Sequence, residues 1–344
     1  MTEQTINPDA LAEFLVGHID NFEGPLEIEA FEAGQSNPTY KLTTPNAKYV
    51  LRRKPDGKLL PSAHAVDREF RVMSGVSKAG FPVPTMHVYA EEPDIVPTPF
   101  YVMSFVEGRV FWKTDIPSAT PEERTAIFHS INKTMAQLHA IDPADVGLED
   151  FGKQGNYFAR QIGRWSKQYT ASANKEISSM DKLMAWLPDN IPADDETRII
   201  HGDFGMHNIM FAPDGTDIVA ILDWELSTLG HPIADVIYNM LPWYGPDIKG
   251  VFVSFRDKDL DALGIPSFDD YLAEYCERTG RSPLENPAFY RAYNLFRFAA
   301  IAQGIVGRAL QGNASNPRAM QMEQVVAPLA DMAWHEAKLA GAFE

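Results

Sequence analysis

The fold class of this chain is decided by the stretch Ile199-Ile-His-Gly-Asp-Phe-Gly-Met-His-Asn-Ile-Met-Phe211, followed by Ile218-Val-Ala-Ile-Leu-Asp-Trp-Glu225. Short apolar strands flank a polar loop, and acidic or amide side chains stand where the strands end. Asp203 and Asn208 are five residues apart, and Asp223 follows fifteen residues later. Two carboxylates and an amide around one hairpin offer the oxygen ligands that Mg²⁺ prefers. The pattern therefore predicts a magnesium site.

The segment from His201 to Asn208 resembles the catalytic loop of the aminoglycoside phosphotransferase and choline kinase superfamily, which keeps the Asp-x-x-x-x-Asn spacing of protein kinases. Ile221-Leu-Asp-Trp-Glu resembles the metal-binding segment of that superfamily. The resemblance covers roughly residues 26–310. It implies an α+β, protein-kinase-like bilobal fold with a small antiparallel-sheet N-terminal lobe and a larger, mainly helical C-terminal lobe. It also implies an ATP-dependent phosphotransferase that acts on a hydroxyl of a small molecule, with GTP as the alternative nucleotide.

Three residues take their implied roles from these motifs. Asp203 matches the catalytic Asp that accepts or orients the proton of the acceptor hydroxyl. Asn208 and Asp223 match the ligands of Mg²⁺. These roles fit the reaction, because phosphoryl transfer depends mainly on positioning and on neutralising charge. The structural alternative is that Asp203 caps a turn and Asp223 ends a strand.

A cationic residue for the nucleotide phosphates is expected near Tyr49-Val-Leu-Arg-Arg-Lys54, where strand alternation places Val50, Arg52 and Lys54 on one face. By resemblance, Arg52 stands where protein kinases carry a lysine on their third strand, and Glu69 corresponds to its partner on a helix. Arginine keeps the charge but is larger, so the two are not equivalent. Arg53 or Lys54 could share this role.

The remaining nucleotide contacts are expected from two loops. The turn from Gly34 to Asn37 stands between two strand candidates, and its backbone amides could cradle phosphate, although the full G-x-G-x-x-G pattern is absent and a plain hairpin turn is the alternative. Tyr101–Gly108 resembles the strand and hinge that bind adenine through their backbone. The residues expected to bind nucleotide are Gly34, Ser36, Asn37, Arg52, Glu69, Ser104 and Val106.

The acceptor is indicated only indirectly. His207 is a candidate substrate contact. His201 and His207 could suggest a zinc site, but no third nitrogen or sulfur ligand follows them at the usual spacing. Residues 302–315, together with residues 34–40, resemble the branch of the superfamily that is fused to acyl-CoA dehydrogenases, which implies a hydroxyacyl-CoA or a related hydroxylated carboxylate as acceptor. Small residues at Gly304 and Gly307 would allow close helix packing, and Arg308 could face the acceptor or be an ordinary solvated residue.

Three other functions stay open on the sequence. An aminoglycoside-type antibiotic kinase would suit an acidic chain and the wider superfamily. A catalytically silent nucleotide-binding module would explain the incomplete glycine loop. A metal-dependent hydrolase would use the same carboxylates with water as the acceptor.

Composition excludes several classes of protein. The 344 residues include 30 Lys and Arg against 47 Asp and Glu, a net charge of −17, which excludes a general nucleic-acid binder and argues against docking on anionic membranes. One cysteine, Cys276, cannot form an internal disulfide, and the N-terminus lacks the pattern of a signal peptide. We expect a cytoplasmic protein that binds a nucleotide and a small-molecule acceptor. Its length predicts two lobes, residues 1–103 and 104–344, joined at Met103–Gly108.

Overall fold

A computed structural model describes residues 6–31, 37–57, 64–248, 253–311 and 319–343. The chain forms two compact units that interleave along the sequence. The first unit comprises Met1–Val110, Pro143–Glu149 and Asn208–Ser227. The second comprises Phe111–Asp142, Asp150–His207 and Thr228–Glu344. The hairpin that contains Asn208 and Asp223 thus belongs to the first unit, and Asp203 belongs to the second.

The first unit is built on an antiparallel sheet whose strands lie in the order β1-β2-β3-β5-β4. Its sheet strands are β1 (Glu27–Ala30), β2 (Thr39–Thr43), β3 (Lys48–Arg53), β4 (Met86–Ala90) and β5 (Phe100–Ser104). Helix α1 (Pro8–Val16) begins at Asn7, whose side chain accepts hydrogen bonds from two backbone N–H groups, and it buries Leu11 and Leu15 in the same core as Leu51 of β3. Helix α2 spans Val66–Lys78.

A second sheet of the first unit carries the end of the motif hairpin. Strands β6 (Arg109–Val110), β8 (Ile209–Phe211) and β9 (Ile218–Ile221) pair in the order β6-β8-β9. Gly108, just before β6, allows the close approach to β8, because a Cβ atom there would lie 2.5 Å from the carbonyl oxygen of Phe211. A side chain at this position would therefore push β6 away.

The second unit is mainly helical, and its described residues include one short pair of strands, β7 (Arg198–Ile200) and β10 (Thr228–Gly230). Its helices are α3 (Pro121–Ala140), α4 (Tyr157–Ser172), α5 (Ser178–Trp186), α6 (Ile233–Asn239), α7 (Leu241–Tyr244), α8 (Leu260–Leu263), α9 (Phe268–Thr279), α10 (Pro287–Leu310) and α11 (Glu323–Leu339). Helix α10 lies at the centre and packs against α11, α4 and α6.

Helices α4 and α10 approach closely at two glycines. A Cβ atom at Gly304 would lie 2.8 Å from Nε2 of Gln168, and one at Gly307 would lie 2.8 Å from Cβ of Ser172. The expectation that these small residues allow close helix packing is confirmed.

Several predicted elements differ from those observed. The pattern of residues 165–186 predicts a single helix, which is wrong, because Ala173 adopts extended backbone and separates α4 from α5. No helix is predicted over the residues of α1. The sequence also predicts a helix from Ser62 to Lys78; the observed helix begins at Val66, and positions 62 and 63 lie outside the described residues. Within the described part of the chain, no helix is long and apolar enough to cross a membrane.

Candidate active site

Arg52 lies at the centre of a charged cluster in the first unit. Its Nε is 3.1 Å from Oε2 of Glu69, and its Nη2 is 3.0 Å from Oδ1 of Asp223 and 3.9 Å from Oε2 of Glu225. The alternation of β3 sends Arg53 to the opposite face, where its guanidinium pairs with Asp56 at 3.0 Å. Arg52 therefore meets Glu69 as the sequence predicted, and Arg53 is committed elsewhere.

Glu69 is fixed by three neighbours. The carboxylate is buried on α2 and accepts hydrogen bonds from the side-chain amide of Asn37, at 2.9 Å, and from the hydroxyl of Tyr101, at 3.0 Å. Burial raises the pKa of Glu69 above its usual range, the ion pair with Arg52 opposes this shift, and the charge of Asp223 adds to it. These contacts hold the carboxylate, and through it Arg52, in one position.

Asn208 and Asp223 lie at the same end of the β8–β9 hairpin. Ile209 pairs with Ile221, and the carbonyl oxygen of Asn208 accepts a hydrogen bond from the backbone N–H of Leu222 at 2.8 Å. Asp223 adopts left-handed backbone with φ of 62°, a conformation that costs free energy for a residue with a side chain. The hairpin therefore brings the backbones of the two predicted residues to one end of the β8–β9 pair.

This cluster suits a divalent cation. One guanidinium faces three carboxylates, so its formal charges sum to a net negative value that a cation would neutralise. Among the described residues, no group of three or more His, Cys, Asp or Glu side chains could hold a metal ion. Mg²⁺ at Asn208 and Asp223 would thus need further oxygen ligands from nucleotide phosphates and water, as Mg²⁺ usually has.

The loop that carries Asp203 follows β7 and is anchored by a buried carboxylate. Asp235, on α6, accepts hydrogen bonds from the backbone N–H groups of His201, at 2.6 Å, and Gly202, at 2.8 Å. The carbonyl oxygen of Gly202 accepts a hydrogen bond from Nη2 of the buried Arg297 at 3.0 Å. Asp235 therefore braces the loop that carries Asp203.

The Asp203 carboxylate contacts the side chains of Tyr238 and His207 in the second unit. Its Oδ1 accepts a hydrogen bond from the hydroxyl of Tyr238, and its Oδ2 lies 3.6 Å from Nε2 of His207. Burial acts to raise the pKa of Asp203, but interactions with His207 and Tyr238 outweigh it and hold the pKa below its usual range. Asp203 is therefore ionised near neutral pH and oriented by both neighbours.

Sequence reasoning missed the residues that support Tyr238. Its ring stacks on Phe298, with centroids 5.5 Å apart and planes 17° from parallel, and the guanidinium of Arg297 lies 5.5 Å from the ring centroid. The one signal in the sequence was an arginine within the apolar helix α10, but sequence spacing does not show what such a residue contacts.

An apolar pocket lies beside His207 and Tyr238, with a volume of about 220 Å³. Five of its described lining residues are Phe, Tyr or Trp: Trp112, Phe128, Tyr238, Trp243 and Phe298. None of the described lining residues is Asp, Glu, Lys or Arg. Trp112 is 75% exposed, so it can contact a bound molecule. The pocket is suited to an apolar ligand.

The other predicted nucleotide contacts are placed as follows. Gly34 and Ser36 lie outside the described residues. The side chain of Asn37 is buried and bonded to Glu69 and to His64, which leaves it supporting Glu69. The backbone N–H of Ser104 donates to the carbonyl oxygen of Thr85 at 2.8 Å, so this group is already used within the sheet.

Val106 and Arg308, the last two predicted binding residues, take no part in the contacts described above. Val106 is half-buried in the segment after β5. Arg308 is exposed on α10 and is not among the described residues that line the apolar pocket.

Comparison with known proteins identifies the family of this chain. Residues 27–281 match the phosphotransferase enzyme family, APH, so the chain belongs to that family. The expected family, its protein-kinase-like fold and its small-molecule phosphotransferase class are thereby confirmed.

Two relatives of this chain are members of the acyl-CoA dehydrogenase family. The chain is 42% identical over 337 residues to acyl-CoA dehydrogenase family member 10 of Mus musculus, covering 98% of this chain and 32% of that protein. It is 40% identical over 323 residues to family member 11 of Rattus norvegicus, covering 93% and 41%. The chain therefore spans less than half the length of these relatives.

Solved structures show the same fold. The crystal structure of a candidate aminoglycoside phosphotransferase from Ralstonia eutropha is 41% identical, with a TM-score of 0.91 over 98% of this chain and 100% of that one. A thermostable mutant of the aminoglycoside phosphotransferase APH(4)-Ia, in complex with AMP-PNP and hygromycin B, is 15% identical, with a TM-score of 0.61 over 97% and 100%. The latter likeness concerns the fold alone.

Proposed function

We propose that this protein transfers the γ-phosphate of ATP to a hydroxyl group on an apolar part of a small molecule. The observation that carries the proposal is the pocket beside Asp203, which has five aromatic residues and no Asp, Glu, Lys or Arg among its described lining residues. A hydroxyacyl-CoA or a related hydroxylated carboxylate fits this description, since its acyl chain is apolar. The similarity to acyl-CoA dehydrogenase family members 10 and 11 supports the same acceptor class.

The first unit would hold the nucleotide. Arg52, fixed by Glu69, would grip phosphate oxygens with the guanidinium nitrogens that now face Asp223 and Glu225. Asn208 and Asp223 would hold Mg²⁺, which, when bound, supplies the neutralisation of charge on the phosphates. The complexes of fold neighbours with AMP-PNP or ADP support ATP as the donor, and GTP stays the alternative.

Asp203 would orient the acceptor hydroxyl. The hydroxyl oxygen forms a bond to the γ-phosphorus, the bond from that phosphorus to the bridging oxygen of ADP breaks, and the hydroxyl proton passes to the Asp203 carboxylate. A lowered pKa keeps Asp203 ionised before the reaction, so it can accept the hydrogen bond of the acceptor. The contacts of Asp235 and Arg297 hold the loop in place for this step.

An aminoglycoside acceptor is the competing proposal. Such a molecule carries several positive charges, and a pocket for it needs carboxylates, which the described lining residues do not include. The net charge of −17 attracts cations in general but places no acidic group in this pocket.

The test compares acceptors under one assay. Mg²⁺-dependent ADP release from ATP is measured with 4-hydroxyacyl-CoAs, choline, kanamycin and a hydroxylated sugar. Stimulation by the hydroxyacyl compounds alone supports the proposal. Stimulation by kanamycin alone contradicts the acceptor class, and equal ADP release without any acceptor indicates a hydrolase. Nucleotide binding without turnover on any acceptor favours a silent binding module.

A further inference from the structure

Helices α4 and α10 contain no acidic residue. They comprise 16 and 24 residues of a chain that has 47 Asp and Glu, and they carry three exposed cations, Arg164, Lys167 and Arg308. Within the described part of the chain, none of these three forms an ion pair with a carboxylate. These three cations form a local positive patch in a chain of net charge −17, and such a patch attracts anions.

One of these cations, Arg308, lies where the two helices pack. The position that a Cβ atom of Gly304 would occupy lies 2.8 Å from Nε2 of Gln168 and 3.7 Å from Nη1 of Arg308. The Arg308 guanidinium therefore lies beside α4 at the level of Gln168. Lys167 is the preceding residue, and Arg164 lies one helical turn earlier. We call Arg164, Lys167 and Arg308 the basic edge.

An apolar path leads from the pocket to the basic edge. Between Phe298 and Arg308, the residues of α10 that are not buried and lie on the same side are Ile301 and Ile305. The spacings of three, four and three residues place all four side chains on one face of the helix. Phe298 lines the pocket, and ten residues at 1.5 Å each set Arg308 about 15 Å further along the axis.

We propose that the acceptor is an elongated molecule whose hydroxyl end occupies the pocket and whose far end carries an anionic group bound by the basic edge. This inference rests on the proposed function and adds the distal subsite. The apolar part of the acceptor lies along Phe298, Ile301 and Ile305. The anionic group is a phosphate or a carboxylate, because both accept hydrogen bonds from arginine and lysine.

Direct binding is the first test, because it does not depend on turnover. Calorimetry with 4-hydroxydecanoyl-CoA compares the Kd values of the wild-type protein and the double variant Lys167→Gln/Arg308→Gln. We expect the Kd to be at least tenfold higher for the double variant. Added NaCl should raise the Kd of the wild-type protein more steeply than that of the variant. The matched control is Lys133→Gln, an exposed lysine on α3, which should leave the Kd unchanged.

Turnover is the second test. Two thioesters of the same hydroxydecanoic acid are compared by their KM values, the CoA thioester and the N-acetylcysteamine thioester, which lacks the phosphates. The KM of the N-acetylcysteamine thioester divided by the KM of the CoA thioester should fall tenfold or more in the double variant. The same ratio should stay constant in Lys133→Gln. A hydroxylated dicarboxylic acid is the third acceptor in this comparison. If its KM alone rises in the double variant, the anion that the basic edge binds is a carboxylate.

The outcomes separate the two proposals. Charge-dependent binding without phosphate transfer supports the basic edge and contradicts the proposed function. Phosphate transfer with a KM ratio that the double variant does not change contradicts the basic edge alone. The inference is also overturned if neither the CoA thioester nor the dicarboxylic acid binds more weakly to the double variant, since the cations would then serve some other partner.

Discussion

The hydroxyl of Tyr238 donates a hydrogen bond to the Asp203 carboxylate, within the same unit as the apolar pocket. Tyr238 also stacks on Phe298, which lines that pocket. One aromatic residue therefore connects the proposed catalytic carboxylate to the surface that would receive the acceptor. A change at Tyr238 should alter both the ionisation of Asp203 and the fit of the substrate.

The variant Tyr238→Phe keeps the ring and removes the hydroxyl. Because this hydrogen bond helps to lower the pKa of Asp203, the pKa should rise in the variant. The acidic limb of the pH profile of kcat/KM should move to higher pH, and kcat should fall about tenfold. An acidic limb that stays in place would show that Tyr238 does not influence the reacting carboxylate.

The same interaction predicts a pH dependence of stability. Asp203 has a folded-state pKa below its unfolded value, so its contribution to the free energy of unfolding is present above the unfolded pKa and is lost as pH falls through the folded pKa. Tyr238→Phe should therefore be less stable than wild type by about 1 kcal/mol at pH 7. Urea titrations at pH 7 and pH 3 measure this difference, which should shrink at the lower pH.

Arg52→Ala should be strongly destabilising. It leaves Glu69 buried and Asp223 and Glu225 close together without a cation, and breaking a buried ion pair in this way costs about 3–5 kcal/mol. The matched control is Lys48→Ala on the same strand, whose ion pair with Glu107 is exposed to solvent and contributes little to stability. If urea titrations showed that both variants lose the same free energy of unfolding, Arg52 would not be the residue that stabilises this charged cluster.

Arg52→Lys tests the nucleotide role with less loss of stability. Lysine keeps the charge but cannot reach Glu69 and the phosphates with separate nitrogens. We expect the KM of ATP to rise several-fold, with a smaller effect on the KM of the acceptor. A variant in which only the acceptor KM changes would place Arg52 outside the nucleotide site.

Trp112→Ala tests the apolar acceptor. The side chain is 75% exposed, so its removal should not unfold the protein, yet it lines the pocket. Loss of this apolar contact should raise the KM of a hydroxyacyl acceptor several-fold and leave the KM of ATP within twofold. Trp112→Phe should recover most of the loss. A cationic acceptor whose KM falls in the alanine variant would support the aminoglycoside alternative.

Much of the local pattern could be predicted from the sequence. The Asp203–Asn208 spacing and the Ile221–Glu225 segment placed the amide and a carboxylate on one hairpin, because both depend on neighbouring residues in the chain. Strand alternation also separated Arg52 from Arg53 correctly. The Arg52–Glu69 pair came from resemblance, and the structure brings the two side chains together.

Contacts between distant segments could not be predicted. Tyr238, Arg297 and Phe298 meet the loop of Asp203 only through the packing of α6 and α10, and no spacing rule encodes that packing. The break at Ala173 was also missed, because alanine has a high intrinsic preference for helix and gives no signal that a helix ends there. Arg308 was noted in the sequence, but its position beside Gln168 depends on the close approach at Gly304.

The measurement that tests the central claim most directly is the transfer of ³²P from [γ-³²P]ATP to 4-hydroxydecanoyl-CoA in the presence of Mg²⁺. Wild-type protein and Asp203→Asn are compared, with the binding of a fluorescent ATP analogue as the control for folding. We predict labelled acceptor with wild type, a loss of at least a hundredfold in Asp203→Asn, and nucleotide binding that is retained in both. Transfer at the wild-type rate by Asp203→Asn would contradict the assignment of Asp203 as the residue that orients the acceptor.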